Sequence, residues 1–429
     1  MSISSRRSAL GAVAARAVSI LASFILTFIV ARVLDVEDAG TFFLVFTSIA
    51  IVATFGRFGT DNLALKIVGR ADSNVLVDLR RLAVIALAAS VVGVGAGVAA
   101  SSLVGINLPG SFSTLLLTAS AVVPQAASVL AGSILRARGR LILGTFAELG
   151  SMPALTALGI TVLFATGMAT LESVLICLVA GSWATALWSV WAAVSASRTY
   201  VPETSVAPVR TTQFIRENSR PLTAMMGTSL IFYLVTWIPI YLLSAVGELE
   251  AVSYYTAAAR LAGFIGLIPA IQVSYLAPTF ARLHQQSDVA GLNRLAGRSA
   301  LIALGLAAVP ATVLAVWAGP LLGLLYGSPY EEGGFVLSLL TVGVVVSVAA
   351  GQVNQLMLLC DLEQFALWLN IAILGLWLVA GFASAVTFGL AGVVLVSVTL
   401  TIGYQLAAVL KLHSAASILS FARLTRSPS

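Results

Sequence analysis

The sequence predicts an all-α polytopic membrane protein, with twelve transmembrane helices arranged as two pseudo-symmetric six-helix lobes. Three observations carry this expectation. The 429 residues are 59% hydrophobic and only 9% charged, where soluble domains carry about 25% charged residues. Apolar windows long enough to cross a bilayer, about 20 residues each, recur twelve times. The second half of the chain also repeats the pattern of the first.

The windows fall at 8–33, 40–68, 82–106, 112–135, 141–166, 171–197, 215–244, 251–280, 297–318, 333–359, 365–387 and 390–412. Basic residues precede the first one, as in a signal peptide. It is too long for that and lacks a small-residue cleavage site, so it reads as a retained helix. An acidic turn, VLDVEDAG (Val33–Gly40), separates windows one and two. The pair recurs around LLSAVGELEAVSYYTAAARLA (Leu242–Ala262) between windows seven and eight, and LRARGRLILGTFAELG (Leu135–Gly150) resembles LCDLEQFALWLNIAILG (Leu359–Gly375). Six spans is an even number, so the repeats run parallel, an arrangement that places its binding site between the halves. Residues 1–197 form the expected N-lobe and 215–429 the C-lobe. The segment 198–214, with Pro202 and Pro208, is the cytoplasmic linker.

Charge placement orients the chain. All but four of the 23 Lys and Arg residues fall in the tails and inner loops, whereas the outer loops carry Asp35, Glu37, Asp38, Glu172, Glu248, Glu250, Glu331 and Glu332. This positive-inside bias puts both termini in the cytoplasm. The inner loop with Asp361 and Glu363 is the exception. The basic excess is therefore an orientation signal with a contact to anionic membrane lipids, and a nucleic-acid partner is not expected. Cys177 and Cys360 lie within windows and read as packing residues.

The four remaining cations, Arg16, Arg32, Arg57 and Arg260, lie in apolar windows. An arginine near the bilayer centre costs on the order of 2.5–3.5 kcal/mol even on lenient scales. Three of them sit on polar stripes at helical spacing: Arg16, Ser19, Ser23 and Thr27; Thr47, Thr54, Arg57 and Asp61; Ser253, Thr256 and Arg260. Window ten adds Thr341, Gln352 and Gln355. Arg32 is nearest the outer surface and snorkels toward Asp35 or Asp38. Asp61, four residues after Arg57, is its expected partner, and Glu148 is the other intramembrane anion. Setting Arg32 aside leaves three cations against two anions, which suits an anionic substrate. Arg16, Arg57, Arg260 and Asp61 are thus the expected substrate-binding residues of a central cavity. Glu148, Thr27, Thr54, Thr256, Gln352 and Gln355 are candidates for lining it or for ion coupling.

No phosphate-binding glycine loop, nucleophile elbow, catalytic carboxylate pair or metal-ligand spacing is present, so neither an enzyme nor a metal site is expected. GVGAG (Gly93–Gly97) lies inside a window and reads as close helix packing. The windowed prolines Pro124, Pro153, Pro239, Pro269 and Pro310 suit kinks or hinges.

The stretches ARVLDVEDAGTFFLVFTSIA (Ala31–Ala50), VSYYTAAARLAGFIGLIPAIQVSYLAPTFARL (Val252–Leu283), GPLLGLLYGSPYEEGGFVLSLL (Gly319–Leu340) and LRARGR (Leu135–Arg140) resemble, in order and spacing, the Wzx-like polysaccharide flippases. These belong to the multidrug/oligosaccharidyl-lipid/polysaccharide exporter (MOP) superfamily. The resemblance implies a MOP/MATE-like fold, the bacterial cytoplasmic (inner) membrane, and alternating access. The implied activity is transfer of an undecaprenyl-diphosphate-linked oligosaccharide, a repeat unit of O-antigen, capsule or exopolysaccharide, to the outer leaflet. It implies an ion gradient or membrane potential as the drive, no cofactor, and a glycan polymerase and chain-length regulator as partners. In the related lipid II flippases, arginines of the first, second and eighth helices line the cavity; Arg16, Arg57 and Arg260 occupy those helices here. Two departures stand out. Thr236–Leu243 lacks the acidic residue many relatives carry in window seven, and the two extra helices of many lipid II flippases are missing. The rival expectations are a cation-coupled multidrug exporter using Asp61 and Glu148, and a membrane glycan polymerase or ligase.

Overall fold

The computed structural model describes residues 3–68, 75–104, 112–198 and 211–422, so most of the expected linker, including Pro202 and Pro208, lies outside the described residues. Among these, every regular element is a helix. The chain falls into two units, Met1–Trp237 and Ile238–Ser429.

The first unit contains α1 (Ile3–Val33), α2 (Val36–Arg57), α3 (Thr60–Val68), α4 (Val75–Val104), α5 (Phe112–Ala137), α6 (Leu141–Leu149), α7 (Ser151–Ala165), α8 (Leu171–Arg198) and most of α9 (Thr211–Ala245). The acidic turn works as a start signal: the Asp35 carboxylate accepts from the Asp38 backbone N–H at 2.9 Å, and Glu37 and Asp38 face the positive end of α2. α2 is the axis of this unit. Some 72% of its apolar window is buried, against 28% for the windows of α4 and α9.

The expected single span 40–68 is broken. Phe58 and Gly59 take positive φ, 49° and 72°, ending α2 and redirecting the chain into α3. Gly59 is required there because a Cβ would come within 2.7 Å of the Leu222 carbonyl oxygen. Beneath the break, Leu63, Leu82, Leu130, Leu135, Ala193 and Leu222 form one core. The expected span 141–166 is the α6–α7 pair, bent by 55°.

The second unit continues with α10 (Leu249–Gly263), α11 (Leu267–Gln285), α12 (Val289–Val316), α13 (Ala318–Tyr326), a 3-10 turn (Ser328–Gly333), α14 (Gly334–Ala349), α15 (Val353–Leu359), α16 (Glu363–Leu376), a π turn (Trp377–Gly381) and α17 (Phe382–Ala416). The α10–α11 pair is bent by 45°. The run Glu363–Ala416 is 54 residues, about 80 Å at 1.5 Å per residue, far more than one crossing of a core about 30 Å thick. Gly389 (φ 55°, ψ −136°) interrupts it, at the gap expected between windows eleven and twelve. The Glu248 carboxylate accepts from the Leu390 backbone N–H at 3.1 Å, so a residue expected only as an outer-loop charge caps the helix restarting there.

Window ten is also shorter than expected. α14 stops at Ala349, and Gly351 (φ 73°) turns the chain before α15. A side chain at Gly351 would lie 2.6 Å from the Ser420 carbonyl oxygen, where the C-terminal segment returns and Ala422 N–H bonds Ala349 O.

Among the described residues, nine helical segments are long and apolar enough to span a membrane, or eleven with each bent pair as one span. Their outward faces are apolar: Trp191, Val309, Val379 and Phe388 are more than 70% exposed. In water such faces would be untenable; against lipid they are the expected surface.

Candidate functional site

The first unit forms ion pairs at the α2–α3 break and in the α5–α6 hairpin. Arg57, the last residue of α2, is buried. Its Nη1 donates to Asp61 Oδ2 at 3.1 Å and its Nη2 to Thr54 Oγ1 at 2.6 Å. Its guanidinium lies 5.8 Å from the Tyr233 ring centroid, a cation–π distance. The Arg57 Nε has no hydrogen-bond partner among the described residues. The expected Arg57–Asp61 pair therefore forms, but across the break at Phe58–Gly59 instead of along one helical turn.

Arg136 was expected as an inner-loop cation. The structure places it in the last turn of α5, where its Nη2 lies 2.8 Å from Glu148 Oε2 on α6 and donates to Ser133 Oγ at 3.0 Å. Two glycines create the room. A Cβ on Gly144 would lie 2.6 Å from Arg136 Cγ, and one on Gly132 would lie 2.7 Å from the Gly144 carbonyl oxygen and 3.2 Å from Glu148 Cβ. Each glycine thus lets the opposing charged side chain lie along the crossing.

Glu148 also feels the charges of Arg57, Asp61 and Arg16, so α1, α2, α3, α5 and α6 each bring one charge to this region. Arg16 is exposed on α1. One turn along, Ser19 packs against Gly150 at the α6–α7 bend; a Cβ on Gly150 would lie 2.6 Å from Ser19 Oγ. The cluster holds three arginines and two carboxylates, an excess of one positive charge. Sequence reasoning found four of its five members. It missed Arg136 because position near a loop says nothing about the partner across a helical hairpin. The GxxxR and GxxxE spacings (Gly132–Arg136, Gly144–Glu148) were the available signal.

The hydroxyl stripes are buried between helices. Ser19 donates to Ala15 O, Thr27 to Ser23 O, Thr47 to Phe43 O and Thr54 to Ala50 O, which spends each proton within its own helix. The lone pairs stay usable, as Thr54 shows by accepting from Arg57. Arg32 is exposed and packs over Phe28 at 5.9 Å.

In the second unit, Arg260 is half-buried near the end of α10 and interacts electrostatically with Tyr326. Tyr326 packs on Tyr330 (5.6 Å), and Tyr330 packs on Tyr254 (5.8 Å). Thr256 is buried, and its Oγ1 has no partner among the described residues. The stripe expected along window ten is not one helical face, because Gly351 intervenes. Thr341 is on α14, Gln352 sits in the break with its Nε2 donating to the Pro269 carbonyl at 3.1 Å, and Gln355 is on α15. Gln352 thus satisfies a carbonyl in α11.

A separate apolar cavity of about 450 Å³ lies between α4, α5 and α8, lined by Ala86, Leu87, Leu130 and Val194, with Arg80, Ser90 and Ser197 as polar lining residues. Among the described residues no group of three or more His, Cys, Asp or Glu could hold a metal ion.

The sequence matches no protein-family model and no curated protein. The fold does match solved structures. One is a multidrug resistance MATE family transporter of the MOP superfamily in an inward-facing conformation, with a TM-score of 0.66 and 15% identity over 95% of this chain and 98% of that one. Another is the lipid II flippase MurJ in an inward closed conformation, with a TM-score of 0.68 and 12% identity over 95% and 89%. A third is the Vibrio cholerae MATE transporter VcmN, with a TM-score of 0.59 and 16% identity over 96% and 97%. At these identities the likeness shows the fold: the chain has the architecture of MOP-superfamily transporters.

Proposed function

We propose that this chain is a lipid-linked oligosaccharide flippase, twelve-spanning with the last run divided at Gly389, that moves an anionic diphosphate-linked glycan across the cytoplasmic membrane by alternating access. The observation that carries the reading is the charge cluster of the first unit. Two arginines, Arg57 and Arg136, pair with Asp61 and Glu148, and the exposed Arg16 adds a third cation whose charge Glu148 feels; within an apolar bundle such charge is poorly screened. A guanidinium matches two oxygens of a phosphate at once, and Arg57, with Nε unsatisfied, has donor capacity to spare. Arg16 and Arg57 would hold the diphosphate, Arg260 would meet it on the route through the second unit, and the lipid tail would remain among membrane lipids. The shared fold with a lipid II flippase supports this reading.

The same fold in a multidrug transporter supports a second one, a cation-coupled exporter using Asp61 and Glu148. However, each of these carboxylates is paired with an arginine in the structure, which favours the anion. The deciding experiment is a deletion strain complemented with Arg57→Ala or Arg260→Ala. Surface glycan should be lost while the protein stays in the membrane and drug susceptibility stays unchanged. Full glycan export by both variants at normal expression would remove the site assignment, and drug sensitivity without a glycan defect would favour the exporter.

A further inference from the structure

We propose that Arg136 is a further anion-binding residue and that Glu148 acts as its resident competitor, so that a bound diphosphate takes the place of the Glu148 carboxylate. The inference deepens the reading of the cluster as an anion site and rests on it.

Four features of the α5–α6 hairpin support it. First, the pair is reachable: the side chains of Arg136 and Glu148 are 30% and 18% exposed, against 7% for Arg57 and 13% for Asp61. Second, Arg136 is pre-oriented, since its Nη2 donates to Ser133 Oγ on the same helix, while Glu148 Oε2 lies 2.8 Å from that nitrogen as an ion pair and has no hydrogen-bond partner among the described residues. Third, the Arg136 Nε has no hydrogen-bond partner among the described residues. Fourth, the Gly132 and Gly144 crossing leaves a slot in which the arginine lies along the helix opposite.

Glu148 presents one carboxylate oxygen to Arg136 Nη2, the position that an oxygen of a bound anion would take. Exchanging it changes only the partner of the fork. It also frees Glu148, leaving a third arginine beside Arg57 and Arg16 for a ligand carrying more than one negative charge. A pair serving only to staple α5 to α6 would have the same geometry, but the two roles predict opposite signs on neutralising Glu148.

The test is calorimetric titration of inorganic pyrophosphate into the purified full chain in lipid nanodiscs at fixed pH. Glu148→Gln should tighten binding by about tenfold, the order of one competing ion-pair contact removed. Arg136→Gln should weaken it by a similar factor, and the double variant should bind like Arg136→Gln alone. Weaker binding by Glu148→Gln, or parental binding by both single variants, overturns the proposal. If Arg57→Gln abolishes binding while Arg136→Gln and Glu148→Gln match the parent, this inference fails and the anion site stands. If the parent itself does not bind pyrophosphate, both fail.

Discussion

At the scale of single residues, the consequence of placing arginines in an apolar bundle is that each needs an answer, and the answers differ. Arg57 is met by Asp61, Thr54 and the Tyr233 ring, Arg136 by Glu148 and Ser133, and Arg260 by a tyrosine-rich corner. Removing one partner of a buried pair leaves an uncompensated charge, which costs about 3–5 kcal/mol when burial is complete. Arg57→Ala should therefore lower the unfolding midpoint in detergent more than Arg57→Ala combined with Asp61→Ala does. Equal destabilisation would mean that the pair contributes nothing to folding. Gly144→Ala tests packing in the same way. Its Cβ would press on Arg136 Cγ and the Arg136 backbone nitrogen, 2.6 and 2.9 Å away, with an overpacking cost of about 1–3 kcal/mol. Gly139→Ala, with no atom within 4 Å of its Cβ but a φ of 79°, is a comparison in which strain acts without a clash.

Among elements, the informative features are the breaks. α2–α3, α6–α7, α10–α11 and α14–α15 are each interrupted within a stretch that reads as one apolar window. Phe58–Gly59, Gly150 and Gly351 sit at three of these, and Gly263 and Gly266 flank the fourth. At Gly59, Gly150 and Gly351, another segment approaches the backbone too closely for a side chain or a left-handed residue is required. The charged pairs depend on these breaks: α3 returns Asp61 to Arg57, and the α6–α7 bend seats Ser19 of α1. At Gly389 the restart of the helix relies on Glu248. Glu248→Ala should destabilise the second unit by about 1 kcal/mol, the value of a lost N-cap, read as a lower melting temperature. Asp35→Ala should do the same at the start of α2. Glu248→Gln, which keeps an acceptor, should recover most of the loss.

For the whole molecule, the inner-loop cations and outer-loop carboxylates make a topology prediction. In a chain with Cys177 and Cys360 replaced by serine, Glu172→Cys and Glu332→Cys should react with a membrane-impermeant maleimide in intact cells. Gln286→Cys should react only after the membrane is opened. Labelling of Gln286→Cys in intact cells would reverse the orientation and with it the proposed direction of transport.

How much of this was legible in the sequence follows from the range of each interaction. Hydrophobic windows, the acidic α1–α2 turn and the charge bias are local or summed properties, so the fold class and the places of most spans could be read from the residues alone. The Arg57–Asp61 pair was legible for the same reason, since four residues separate them. Arg136–Glu148, Glu248 at Leu390, and Gln352 at Pro269 join residues on different helices. No periodicity within one window carries such a pairing, because it depends on which helix faces cross and how closely. These pairings come from how the helices cross, and at Arg136–Glu148 and at Glu248 they do so beside glycines, Gly132, Gly144 and Gly389: where two backbones approach without side chains between them, charged groups can reach across.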